Sequence, residues 1–184
     1  MIIKKRIAFL AVIAIMAVSL NAQERGFVFS PFFSGGGGTV VFDGFGGYGI
    51  GGIGEFALLF YDNNLQVGAH LTGRGDSIFT ADESRYGAGS ITAKISLGGF
   101  FANNVTRGYS FVEGGIGFGG GISVDGSNSY AAFNVIFGGG GGIDFFFLRN
   151  GSIYLEVGYL QHFINNELVG GISITLGARS FFGR

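Results

Sequence analysis

Gly89-Ser-Ile-Thr-Ala-Lys-Ile-Ser-Leu-Gly-Gly-Phe-Phe101 alternates with a period of two. Ile91, Ala93, Ile95, Leu97 and Phe101 share one parity; Ser90, Thr92, Lys94, Ser96 and Gly98 share the other. Successive side chains of a β-strand point to opposite faces, so this pattern calls for a strand between an apolar and a polar environment. The C-terminal segment repeats it, with Ile172, Ile174, Leu176, Ala178 and Phe182 against Ser173, Thr175, Gly177 and Arg179.

Working outward, the same test gives Leu65, Val67, Ala69 and Leu71 against Gln66, Gly68, His70, Thr72 and Arg74. Ile153, Leu155, Val157 and Tyr159 oppose Tyr154, Glu156, Gly158 and His162. Val112, Ile116, Phe118 and Ile122 oppose Glu113, Gly115, Gly117 and Gly119, and Phe133, Val135, Phe137, Ile143 and Phe145 oppose Asn134, Gly138, Gly140 and Asp144. Weaker strands over Gly26–Ser34 and Gly47–Phe60 complete a set of eight. Turn-like links at Tyr61–Asn64, Asn103–Gly108 and Leu148–Gly151 alternate with longer polar ones at Asp76–Tyr86 and Val124–Asn128, and a further loop is expected within Gly35–Gly46. Short turns on one side and longer loops on the other are the rhythm of outer-membrane barrels. The last connection, at Asn165-Asn-Glu167, is short and departs from it.

The charges test which face meets lipid. A charged side chain facing acyl chains near the midplane costs about 2 to 4 kcal/mol, so charges within strands should share the polar parity. Glu55, His70, Arg74, Lys94, Glu113, Asp144, Glu156 and Arg179 all do. A β-sandwich with a wet face would carry more than about one charge per strand, so these sparse groups read as enclosed. Charged residues make up 12% of the chain, half the share of about 25% usual for a soluble domain. With 38 Gly, 22 Phe and one Pro, the composition is also too aromatic for a disordered linker.

The N-terminus reads as an export signal. Met1–Arg6 carries three positive charges, Ile7–Leu20 is apolar apart from Ser19, and Ser19-Leu-Asn-Ala22 offers the small residues that signal peptidase reads. The apolar run is shorter than the roughly 20 residues of a spanning helix. Cleavage after Ala22 gives residues 1–22 as signal peptide and 23–184 as one barrel domain. Three of the 11 Lys and Arg leave with the signal, so 8 basic residues face 12 acidic ones and the formal charge is near −4. Nothing in that balance favours nucleic acid. With no cysteine, the chain has neither a lipoprotein anchor nor a disulfide framework.

Aromatics gather near the expected strand ends: Tyr48, Phe60, Tyr61, Tyr86, Phe101, Tyr109, Tyr130, Phe145–Phe147, Tyr159, Phe163, Phe181 and Phe182. Barrels place aromatic girdles there. With the signal, the eight alternating segments and the ending Gly170-x-Ile172-x-Ile174-x-Leu176-x-Ala178 running into Phe182, the chain resembles the OmpA-type and OmpX-type eight-stranded outer-membrane barrels. The resemblance covers residues 23 to 184. It implies an antiparallel, up-and-down transmembrane β-barrel in the outer membrane, with membrane lipid and the barrel-insertion machinery as partners. Family members usually close on a terminal aromatic; here Phe182 is followed by Gly183 and Arg184.

The inward charges form the candidate site. A two-residue turn at Asp62-Asn63 would set Glu55 directly opposite His70, with Lys94 at comparable depth on the next strand. Four acids (Glu55, Glu113, Asp144, Glu156) face three bases (Arg74, Lys94, Arg179), with His70 able to balance the remainder. Buried charges must pair, so an ion network plugging and fixing the barrel is expected; a gated or leaky polar path is the alternative. The glycine runs at 35–38 and 138–142 are read as packing or curvature devices. Gly49-Ile-Gly51-Gly-Ile-Gly54 matches the dinucleotide fingerprint in letters only, because strand-like residues rather than a helix follow.

Gln161-His-Phe-Ile-Asn-Asn-Glu167 is similar to the catalytic strand of the lipid A deacylases. Those enzymes carry a nucleophilic Ser two residues after the His, where this chain has Ile164; His162 is therefore read as an interfacial residue. No metal-ligand spacing and no cofactor motif stands out. The expectation is a non-enzymatic barrel with a structural or surface-interaction role. A small pore, a soluble periplasmic β-barrel and a lipid A-modifying enzyme are the other readings.

Overall fold

The computed structural model describes residues 32–42, 47–62, 65–79, 85–101, 105–122, 129–148, 150–164 and 166–182. They form eight strands: β1 (Phe32–Phe42), β2 (Tyr48–Asp62), β3 (Leu65–Phe79), β4 (Arg85–Phe101), β5 (Thr106–Ile122), β6 (Ser129–Leu148), β7 (Gly151–Ile164) and β8 (Glu167–Phe182). Each pairs antiparallel with its neighbours in sequence, and β8 returns to β1, from Phe32↔Phe182 to Phe42↔Ile172. The sheet is a closed barrel without an edge.

The register fixes its dimensions. Cross-strand partners lead from Ser34 through Phe56, Leu71, Ala93, Gly114, Phe137 and Gln161 to Gly170 on β8. Ser34 itself pairs with Ser180, so one circuit climbs 180 − 170 = 10 residues. That stagger tilts the strands by about 40°, and an eight-stranded lumen is just wide enough for side chains. The 11 residues of β1 then rise about 25 Å, the height of the apolar band of a membrane barrel.

Alternation decides the two surfaces. Ile91, Ile95, Val112, Ile116, Phe118, Leu155 and Leu176 project outward and are exposed, whereas Thr72, Thr92, Lys94, Ser96 and Asp144 project inward and are buried. Among side chains described on the strands, the only outward charge is Arg85, at the first residue of β4, with its guanidinium 5.8 Å from the Phe79 ring centre.

Crowding inside explains the glycines. Three bulky inward side chains in the turn-side half stand beside a cross-strand glycine: Arg179 by Gly35, Tyr109 by Gly142, Tyr154 by Gly177. A Cβ at Gly35 would lie 2.7 Å from Arg179 Cγ, and one at Gly142 or Gly177 would strike the Tyr109 or Tyr154 ring. At Gly115 and Gly117 it would overlap the carbonyl oxygens of Ile91 and Gly89 on β4. The outward Gly54, Gly73 and Gly75 have nothing within 4 Å of such a Cβ.

Several expected boundaries move. The first strand is Phe32–Phe42 rather than Gly26–Ser34, whose residues before 32 lie outside the described ones, as does the expected signal peptide. The Gly35–Gly38 run lies within β1, where β2 and β8 flank it and Gly35 accommodates Arg179, and the first connection falls after Phe42. β3 and β4 run on through Asp76–Phe79 and Arg85–Tyr86, leaving residues 80–84 of the expected Asp76–Tyr86 loop, and β5 begins at Thr106. Asp62 pairs with Leu65, so Asn63-Asn64 lies between the strands and Glu55 partners Thr72, with Ala57 opposite His70. That two-residue shift leaves parity unchanged, which is all that alternation specifies.

Replacing Gly115 by Ala should destabilise the barrel by about 1 to 3 kcal/mol through overpacking, while Gly73→Ala should stay within about 0.5 kcal/mol; urea unfolding in detergent micelles measures both.

Candidate functional site

The lumen is filled by side chains in layers. At the turn end, Phe33, Ala57, Leu59 and Phe181 form an apolar cluster against which Phe100 and Phe146 pack. Tyr109 and Phe181, expected in the outer girdle, are instead inside, at 0% and 5% exposure, as is Phe146, which packs against the same cluster. Their parity already places them there, since Tyr109 pairs across the wall with Gly98 and Phe181 with Phe33.

Above this cluster lies a closed ring of ions. Arg179 donates from Nε to Glu55 and from Nη2 to Glu156 Oε1 at 2.8 Å. Lys94 Nζ lies 2.9 Å from Glu156 Oε1 and 3.2 Å from Glu55 Oε2, which completes the circuit. Arg179 Nη1 also donates to Asp144 Oδ1 at 2.7 Å and to the Tyr109 hydroxyl at 2.6 Å. The guanidinium carbon sits 3.8 Å from the Tyr154 ring centre, so stacking and hydrogen bonds hold the same group. Arg107 Nη1 donates to Asp144 Oδ2 at 3.0 Å, and His70 bridges Glu55 at 3.2 Å and Ser96 Oγ at 2.7 Å.

A second cluster occupies the loop half. Arg74 reaches Asp76 at 3.4 Å and Glu113 at 3.1 Å, and Thr92 donates to Glu113 at 3.2 Å. His162 Nε2 faces Asp76 Oδ2 at 3.6 Å, while Asn134 Nδ2 lies 3.1 Å from His162 Nδ1. Beside these groups, Val41, Ile136 and Leu160 make an apolar contact across the lumen.

All eight expected site residues lie inside the wall. Glu55, His70, Lys94, Asp144, Glu156 and Arg179 fall in the turn-side network; Arg74 and Glu113 fall in the loop-side one. Despite the shifted register, Glu55 and His70 touch diagonally. Two members were missed, Arg107 and Asp76, because their positions were read as turn and loop. His162 is wholly buried rather than interfacial, and Ile164, where a hydrolase would need its nucleophile, is buried as well. Among the described residues no three His, Asp or Glu side chains converge as metal ligands.

In a comparison with solved structures, Neisserial surface protein A superposes with a TM-score of 0.52 at 15% identity, over 84% of this chain and 99% of that one. This chain has the fold of the eight-stranded outer-membrane barrels. Ail of Yersinia pestis (17% identity, 83% and 97% coverage, TM-score 0.48) and the N-terminal barrel domain of Pseudomonas aeruginosa OprF (12%, 84% and 100%, 0.47) also match. No family model matches the sequence, and no curated protein does. On an outer-membrane barrel, the outward Ile, Leu, Val and Phe side chains meet acyl chains, and the ion clusters are shielded from them by the wall.

Arg179→Met should destabilise the barrel by about 3 to 5 kcal/mol, because it strands Glu55, Glu156 and Asp144 as buried, partly uncompensated charges. The loss should appear as a lower temperature at which the protein stops migrating as a compact species in unboiled gel samples.

Proposed function

We propose that this chain is a non-enzymatic integral outer-membrane protein with a structural or surface-interaction role. Residues 1–22 act as its cleaved export signal, and residues 23–184 form the barrel inserted by the outer-membrane assembly machinery. The observation that carries this reading is the filled lumen, in which Arg179 alone ties together carboxylates from β2, β6 and β7. The apolar cluster of Phe33, Ala57, Leu59 and Phe181 backs it at the turn end. A lumen occupied by paired charges and packed rings supports a wall rather than a conduit. The inward placement of His162, away from the lipid it would need to attack, argues against a lipid-modifying hydrolase.

Two measurements test this. The folded protein should migrate differently in boiled and unboiled gel samples, as a closed barrel does. Inserted into planar lipid bilayers, it should pass no discrete current steps. Reproducible steps from inserted protein would replace this reading with that of a small pore.

A further inference from the structure

The two ion clusters differ in their charge balance. On the turn side, Glu55, Asp144 and Glu156 meet Lys94, Arg107 and Arg179, three charges of each sign. On the loop side, among the described residues, Asp76 and Glu113 share the single cation Arg74. A neutral imidazole there leaves one negative charge in surplus, away from water.

The surplus has a location. Glu113 accepts from both Arg74 and Thr92. Asp76 accepts from Arg74 on Oδ2 only, and its Oδ1 has no partner. Facing it is His162, wholly buried, whose Nε2 also has no partner. At 3.6 Å the two groups are close but too far apart for a hydrogen bond. The groups around the imidazole are Asp76 and Arg74 from β3, Asn134 from β6 and, through Arg74, Glu113 from β5. Asn134 suits either protonation state, because its amide can donate to Nδ1 or, turned over, accept from Nδ1–H.

We propose that the Asp76–His162 pair binds an exchangeable proton at neutral pH, which neutralises the loop-side cluster and draws β3 and β7 together across the lumen. With the proton, an imidazolium donates to Asp76, or a carboxylic acid donates to the imidazole. These are two forms of one coupled site. The pair is then a proton-binding element distinct from the balanced turn-side ring. Above pH about 6.5, an unfolded chain carries a neutral His162 and an ionised Asp76. The folded state then holds one proton more than the unfolded state, so stability rises as pH falls toward about 6.5.

The test uses the folded full chain in detergent micelles. The folding equilibrium should strengthen by up to tenfold per pH unit between pH 8 and pH 6.5, the limit for one extra bound proton. Asp76→Asn, which removes the surplus charge, should abolish that slope; parallel profiles for the two proteins would overturn the proposal. A second readout needs no variant to fold. At pH 7, ¹⁵N shifts of the His162 imidazole and the ¹³C shift of the Asp76 carboxyl should show the extra proton on one of them, whereas a neutral imidazole beside an ionised carboxylate would overturn it.

Discussion

Hydrocarbon offers no hydrogen-bond partner to a peptide group, so every strand that crosses it must be paired on both sides. In this chain the requirement is met by the β1–β8 seam, which leaves the sheet no edge. Once eight strands close with a stagger of ten residues, the lumen has no room for anything but side chains. From that constraint follow the glycines beside Arg179, Tyr109 and Tyr154 and, apart from Arg85 at the start of β4, the inward parity of the charges described on the strands. The outward surface is left to Ile, Leu, Val and Phe.

The charged lumen is not the main source of stability. Taking ions out of water costs several kcal/mol each, and pairing them returns about as much only when the geometry is good. Its contribution is to specify one arrangement. Arg179 satisfies Glu55, Asp144, Glu156 and Tyr109 together only when β2, β5, β6, β7 and β8 stand at their native register. A slip of two residues on any of these strands keeps the lipid face apolar yet separates those partners. The ion network thus supplies the discrimination that an alternating apolar pattern lacks.

That division also marks what could be read from the sequence. Alternation, clearest around Gly89–Phe101 and Gly170–Phe182 and repeated in the other strands, was enough for strand type, for the outward-facing parity and for the inward parity of the eight residues first assigned, because these depend only on odd against even. Register depends on turn geometry, and there the reading placed Glu55 opposite His70 instead of Thr72. Strand ends were blurred wherever glycine or polar residues continued a strand, which displaced β1 by several residues and hid Asp76 and Arg107 in a supposed loop and turn. His162 on β7 comes within 3.6 Å of Asp76 on β3 across the lumen, an approach that no local pattern announces.

The seam has a kinetic meaning as well. Phe32 and Phe182, its outermost partners, are 150 positions apart in the chain, so closing it is the most non-local step in assembly and the slowest kind to accomplish. Arg179 lies on β8, at one side of that seam, while Glu55 lies on β2 beyond it. Until the wall shuts, Glu55 lacks this cation, and an open sheet carrying it is poorly suited to a dry interior. Sealing the wall and neutralising the lumen therefore coincide, which makes a half-closed barrel a transient rather than a resting state.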